Sequence, residues 1–276
     1  MKKKMKLFKA CFALFRIQTA ESLQYRMAAL INSSIGIFWA LIEVTVYTVF
    51  YKFADNRNAV IALSLRQMIS YVWLNQILWS FLSFDIDGDI RNRINNGDVG
   101  VELCRPMGLY SHWFAKSSAG RVGRAGWRAL ITVAAGLLMP VSYKLSGPAS
   151  ASGFLLFLIT SVSGFLLASS YQMLMTSVRL GITWGEGPTY ILQMIGYILT
   201  GGYLPLQLWP DFLQKFLFWQ PFAGSMDLPI RLYVGSMAPE GALSVLAVQF
   251  CWTAVFIFTG RIVIRYRIAG IIVQGG

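Results

Sequence analysis

Charge is scarce in this chain, and the usual chemistry-bearing residues are scarcer still. Only 13% of its 276 residues are Asp, Glu, Lys or Arg, against about 25% in soluble globular domains. There is one histidine, His112, and there are three cysteines, Cys11, Cys104 and Cys251. The cysteines are odd in number, far apart and without metal-ligand spacing, which argues against a disulfide framework or a zinc site. No G-x-x-x-x-G-K-[ST] run occurs, so there is no backbone cradle or lysine for nucleotide phosphates. G-x-S-x-G, H-E-x-x-H and C-x-x-C are missing too, which removes the hydrolase, zinc-protease and thiol-redox readings they would support. An intramembrane hydrolase needs at least two cooperating groups in the bilayer, and Glu43 is the lone clear candidate. No residue is assigned a catalytic role, no metal site is expected, and no cofactor is expected on this chain.

Apolar length is abundant instead. Hydrophobic residues make up 56% of the chain and the mean hydropathy is +0.56. Six long apolar stretches run over 27–51, 67–84, 124–146, 151–178, 187–209 and 241–260. About 20 apolar helical residues cross a hydrocarbon core about 30 Å thick. Residues 145–178 carry no charged side chain, and 27–51 carry only Glu43. A soluble helix has a polar face; these have none. The fold expected is all-α and polytopic, with six transmembrane helices.

The formal net charge of +12 would suggest nucleic acid in a soluble protein, but membrane proteins collect Lys and Arg in their cytoplasmic loops. With six spans both termini share a side. If that side is cytoplasmic it holds eighteen of the 24 cations, and the outer side holds Lys52, Arg57, Arg66, Lys144, Lys215 and Arg231. Both termini are therefore expected in the cytoplasm. The third span is the shortest, with 15 residues between Arg128 and Lys144. It is extended back to about Arg124, its arginines snorkelling to the interface, and Pro140 is placed at a kink near its outer end.

Residues 1–25 resemble a signal peptide only superficially: Arg16, Glu21 and Arg26 interrupt the apolar run and no small-x-small cleavage site follows. Phe8, Cys11, Phe12 and Phe15 recur at helical spacing beside Lys9 and Arg16, so an interfacial amphipathic helix is expected there, with its lysines toward lipid headgroups.

Two segments are not plain spans. In 85–106, DIDGDIRNRINNGDVGVELCRP, Ile86, Ile90 and Ile94 repeat every four residues and predict a short amphipathic helix over 85–95. Asn96-Gly97 stops it, Asp98 is placed to cap a second short helix, and Pro106 closes the segment. Asp85, Asp87 and Asp89 alternate, but the sixth and twelfth positions of a calcium loop would be Ile90 and Asn96, which is wrong for calcium. In 201–238, Gly201, Gly202, Pro205, Pro210, Pro221, Phe222 and Pro229 break an apolar stretch that cannot be one helix. Irregular backbone at membrane depth must be buried in protein or line a watery cavity. Short helices over 211–219 and after Pro221 are expected to form an outer re-entrant cap.

The run Ile94-x-x-Gly97-x-Val99-x-x-x-Leu103-x-Arg105-Pro106 after a second span resembles the first cytoplasmic loop of bacterial type-2 ABC export permeases, in their compact six-span branch. The Gly-Gly-x-x-x-Pro and Pro-Phe runs of the outer segment resemble the same family, and with the six spans and basic start the likeness covers essentially the whole chain. It implies a single permease domain: an interfacial helix at 1–25, spans 1–2 over 27–84, a coupling loop at 85–106 and spans 3–5 over 107–200. The outer segment 201–238, span 6 over 239–262 and a cytoplasmic tail at 263–276 complete it. It further implies that the loop docks on a separate ATPase subunit, which holds the ATP and magnesium, through Asp87, Ile90, Arg91, Arg93, Ile94, Gly97, Glu102, Arg105 and Pro106. Arg91, Arg93 and Glu102 would supply polar contacts, and Ile90 and Ile94 an apolar knob. Gly201, Gly202, Pro205, Pro210, Pro221 and Phe222 would form the outer gate. A second permease subunit, identical or related, would pair with this one in the bacterial cytoplasmic membrane. No nucleic-acid partner is implied.

A carboxylate near mid-span costs about 2.5–3.5 kcal/mol on insertion scales, so Glu43 should face a cavity or a helix partner. It either meets a polar part of the cargo or accepts a hydrogen bond from Asn75, Gln76 or Gln172. Trp39, Glu43, Asn75 and Gln76 are the candidate pathway residues; Trp39, Trp73 and Trp79 either line a lipid-like groove or pack. Gly164-x-x-x-Ala168 permits close helix approach. His112, beside Trp113, is assigned a structural role. The competing readings are an ion-coupled carrier or channel, which would need more buried charges than Glu43, and a membrane scaffold or sensor without cargo.

Overall fold

The computed structural model describes residues 13, 16, 17, 20, 26–55, 63–82, 84–104, 107–181 and 186–269. The expected interfacial helix at 1–25 falls almost wholly outside this set, as do Arg105, Pro106 and the tail beyond 269. Every regular element among the described residues is helical.

Two of the long helices begin where a serine side chain satisfies an open N–H group of the first turn. Helix α1 is Arg26–Asp55 and α2 is Leu65–Phe81. Ser64 starts α2 with a reciprocal cap, its hydroxyl accepting from the Gln67 N–H while the Gln67 side chain accepts from the Ser64 N–H. Two short helices follow, α3 (Gly88–Asn95) and α4 (Val99–Leu103), and then α5 (Leu109–Leu138). Ser150 caps α6 (Ala151–Arg179) by accepting from Gly153 N–H at 2.9 Å. Helix α7 (Gly187–Leu199), α8 (Asp211–Trp219), α9 (Asp227–Val234) and α10 (Ala242–Ala269) complete the chain, with single 3₁₀ turns at Leu206–Leu208, Ala223–Ser225 and Pro239–Gly241.

Three of these are long and apolar enough to cross a bilayer, over Leu30–Phe53, Ala151–Arg179 and Pro239–Ala269. At 1.5 Å per residue α6 is about 43 Å long, well beyond a hydrocarbon core of about 30 Å. Their exposed faces are apolar: Phe38 and Val46 on α1, Leu155 and Val162 on α6, Phe250 and Phe258 on α10. A row of such side chains is stable against lipid rather than water, and the protein is a membrane protein.

Helices α1, α2 and α5 pack as one group, and α6 and α10 form the most extensive pair. Helix α9 touches both α2 and α6 and so joins the groups at one end. Between them an aromatic core gathers Tyr71, Phe84, Tyr171, Tyr197, Phe222 and Phe256. Tyr171 meets Phe222 edge-on at 4.8 Å and Phe84 at 5.4 Å, the arrangement ring quadrupoles favour.

Two helix boundaries differ from the sequence expectation. The third long helix occupies Leu109–Leu138, not 124–146; Pro140 lies beyond its end and does not kink it. Two of its cations find partners in the fold: Lys116 pairs with Asp89, and Arg121, 4% exposed, donates to Ser169 Oγ at 2.8 Å and lies over the Phe165 ring. The apolar stretch 187–209 is helical only to Leu199, about 20 Å of helix, because the chain turns at Gly201 with φ of +80°.

Candidate functional site

The segment 85–104 folds as two short helices against the same end of α5, α6 and α10. Asp87 caps α3 by accepting from the Asp89 and Ile90 N–H groups at 3.2 and 3.4 Å, and Gly97, at φ of +79°, turns the chain into α4. Asp98 occupies the cap position of α4 without a capping bond. Ile90 is buried and Ile94 partly so, both packed with Ile86, Val99, Trp113, Met173 and Ile264. They anchor the loop and do not form the outward knob that the resemblance implied. A helical repeat shows that one face is apolar; here the neighbouring long helices cover it.

Glu102 also points inward. It is 2% exposed, paired with Arg93 at 2.9 Å and with His112 Nε2 at 3.2 Å. A buried carboxylate is tolerated when its oxygens have partners, and these two come from α3 and α5. Glu102 is thus a tie within the loop and not a surface contact. Arg93 further pairs with Asp89. The Asp89 carboxyl is held below its usual range, first by the hydrogen bond from Lys116 and then by that from Arg93. Arg91 pairs with Glu186, at the entry to α7, at 3.6 Å. Arg179, the last residue of α6, donates to Asn95 Oδ1 at 2.8 Å. The loop is therefore linked by polar bonds to α5, α6 and α7 together. Its outward edge is formed by Asn96, Asp98, Val101, Leu103 and Cys104; Val101 is 65% and Leu103 39% exposed.

At the opposite end, residues 201–235 fold over the helices as expected in outline, with α8 over Asp211–Trp219 and α9 after Pro221. Asp227, which the sequence does not single out, is the centre of this segment. It is fully buried and accepts from Tyr71 Oη at 2.7 Å and Leu206 N–H at 3.2 Å, and it pairs with Arg231 one turn on. Asn75 Nδ2 donates to the Gly202 carbonyl at 2.7 Å. Pro205 starts the 3₁₀ turn at Leu206 and Pro210 precedes α8, while Phe222 enters the aromatic core. Gln249 of α10 donates to the carbonyls of Thr160 and Gly224, at 2.8 and 2.7 Å. Gly164 lies against this turn: a Cβ there would stand 2.8 Å from the Gly224 oxygen. The small-residue pair on α6 therefore receives the outer segment of its own chain.

Of the four pathway candidates, only Glu43 and Gln76 are brought together. Gln76 Nε2 donates to Glu43 Oε1 at 3.4 Å, Asn75 belongs to the Gly202 contact, and Trp39 is 53% exposed on the outer face of α1. Gln172, another possible partner of Glu43, instead accepts from Ser117 and donates to the Asp85 carbonyl. Trp73 is buried and donates to the Tyr143 carbonyl, while Trp79 stacks on Tyr197 at 5.0 Å.

Neither the curated proteins nor the solved structures compared with this chain gave a match. The family described as ABC-2 family transporter protein matches residues 35–270, which takes in the inner loop, the outer segment and the long helices between. With that match over most of its length, the chain belongs to the ABC-2 transporter family and is a membrane component of a transporter.

Proposed function

We propose that this chain is the permease subunit of an ATP-driven exporter in a bacterial cytoplasmic membrane, and that segment 85–106 receives the thrust of a separate ATPase. Six spans place both termini in the cytoplasm, as the Lys and Arg distribution favours. Helices α2 and α5, with the short α7 continued by the outer segment, complete the crossing set. ATP and magnesium belong to the partner ATPase, and a second permease subunit, identical or related, completes the pathway.

The observation that carries this reading is that the loop is one pinned body with a free apolar edge. Ile90 and the Glu102–His112 and Arg179–Asn95 contacts fix it to the long helices. Val101 and Leu103 are left facing outward beside Asp98. Force applied at that edge reaches α5 through His112, α6 through Arg179 and α7 through Arg91–Glu186. The outer segment, bonded to α2, α6 and α10, moves with those helices and opens or closes the exit.

Affinity purification of the tagged chain from its native membranes tests this. An ATPase carrying its own phosphate-binding loop should co-purify with wild type and be lost from Val101→Glu, while a control change such as Trp39→Ala retains it. A chain that hydrolyses ATP or pumps alone overturns the proposal, as does equal retention of the ATPase by Val101→Glu.

A further inference from the structure

Polar side chains from three helices meet at the depth of Leu30–Phe53, the apolar run of α1. Glu43, near the middle of that run, accepts one long hydrogen bond, from Gln76 Nε2 of α2 at 3.4 Å. Gly36 stands two turns before it, about 10 Å along the helix and about 9 Å inside the run from Leu30. Lacking a side chain, Gly36 makes room for the guanidinium of Arg128 from α5. A Cβ there would stand 3.4 Å from Arg128 Nη2 and 3.6 Å from Gln76 Oε1. Gln76 thus has its amide nitrogen at the acid and its amide oxygen on the side of the guanidinium.

The two charges are not neutralised. Arg128 enters no ion pair among the described residues, and its Nε is buried without a hydrogen-bond partner. Glu43 Oε2, Gln76 Oε1 and the terminal nitrogens of Arg128 are also unbonded among the described residues, but they keep accessible surface. A ligand can therefore reach them. An uncompensated charge at this depth is costly, and here an acid and a cation stand about 10 Å apart with an amide between them. A molecule bearing both charges answers both poles at once; a singly charged one leaves the other bare. Trp39, Ile42 and Val46, exposed beside Glu43 on α1, offer an apolar surface to a tail. We propose that this cleft between α1, α2 and α5 binds a zwitterionic amphiphile, its anionic group on Arg128 and its ammonium on Glu43. That the occupant is cargo rests on the permease reading above; the site itself does not.

Native mass spectrometry of the purified full chain in a neutral detergent, without any ATPase, tests the site with three single-tailed probes. Lysophosphatidylethanolamine carries both charges, lysophosphatidylglycerol only the anion and dodecyltrimethylammonium only the cation. The zwitterion should bind with one saturating equivalent, about tenfold or more tighter than either other probe. Glu43→Gln should remove its preference over lysophosphatidylglycerol, and Arg128→Gln its preference over dodecyltrimethylammonium. Phe258→Ala, on the lipid face of α10, should keep both. A loosened fold would weaken all probes together, so the ratios report the site, and the wild-type ratios decide alone if a variant fails to fold. Equal binding of the three probes, or variants that lose all of them in proportion, overturns the site. So does strong coupling between Glu43→Gln and Arg128→Gln in thermal stability without any probe, which would show the two charges paired with each other. None of these outcomes touches the permease reading, which capture of the ATPase tests.

Discussion

The inner loop and the outer segment each carry one fully buried carboxylate, yet they are attached to the helices in different ways. Glu102 joins elements around an apolar anchor, and its partners Arg93 and His112 are charged or chargeable. Asp227 too has a charged partner, Arg231, but the segment around it is held chiefly by neutral bonds: Asn75, Gln220 and Gln249 hold backbone carbonyls of the outer segment and the turns beside it. At membrane depth an unpaired carbonyl costs several kcal/mol, so neutral amides that each satisfy one or two carbonyls make a rigid cap. The inner loop has an exposed edge and is held at a few points, a form suited to transmitting a push. The contrast teaches that one end is built for fixed shape and the other for contact.

The largest test of that contrast is Asp227→Ala. Removing one partner of a buried pair leaves Arg231 and the Tyr71 hydroxyl uncompensated, and about 3–5 kcal/mol of stability should be lost. Thermal unfolding in detergent measures it, and Asp227→Leu/Arg231→Leu should recover much of the loss.

Glu102→Gln should cost less, about 1–3 kcal/mol, because Gln can still bond Arg93. Its larger consequence is functional. In the reconstituted complex, transport should fall several-fold while the ATPase stays bound. Equal losses of docking and transport would show that Glu102 faces the ATPase after all.

Gln249→Leu removes the bonds to Thr160 and Gly224 and should destabilise by about 1–3 kcal/mol. The loss should appear as faster proteolysis of 201–235, with the inner loop unaffected. If both ends loosen together, the two are one cooperative unit.

The smallest effect is in pH. Because Lys116 and Arg93 hold the Asp89 carboxyl below its ordinary value, its stabilisation is present above the usual carboxylate range, about pH 4. It is lost as pH falls through the depressed value. Half-exposed pairs are worth at most about 1 kcal/mol, so acid unfolding of Lys116→Met should differ from wild type by no more than that, and only above the acid window.

Much of this architecture was readable from residue order. Charge-free length marks α6, proline and glycine spacing places α8 and the turn at Gly201, and the isoleucine repeat places α3. The start of α5 was not readable, because Lys116, Arg121 and Arg124 look like loop residues until Asp89 and Ser169 are seen beside two of them. The direction of the isoleucine face was not readable either: Ile90 and Ile94 point inward because α5, α6 and α10 cover them, and nothing local encodes that. Asp227 and Glu102 are single acids without a motif, and Glu102's partners and the Tyr71 that meets Asp227 lie on other helices. Residues that share a pattern need not share a site, as Asn75 and Gln76 show by serving opposite neighbours.

Cys104 offers the most direct test of the central claim, since it is exposed at the free edge of the loop. A thiol-linked photocrosslinker placed there, with Cys11 and Cys251 changed to serine, should capture in native membranes a subunit that carries an ATP-binding motif. The yield should fall in Val101→Glu. Capture of that same subunit only in a second variant that keeps Cys251 in place of Cys104, or in neither variant, would contradict docking at 85–106.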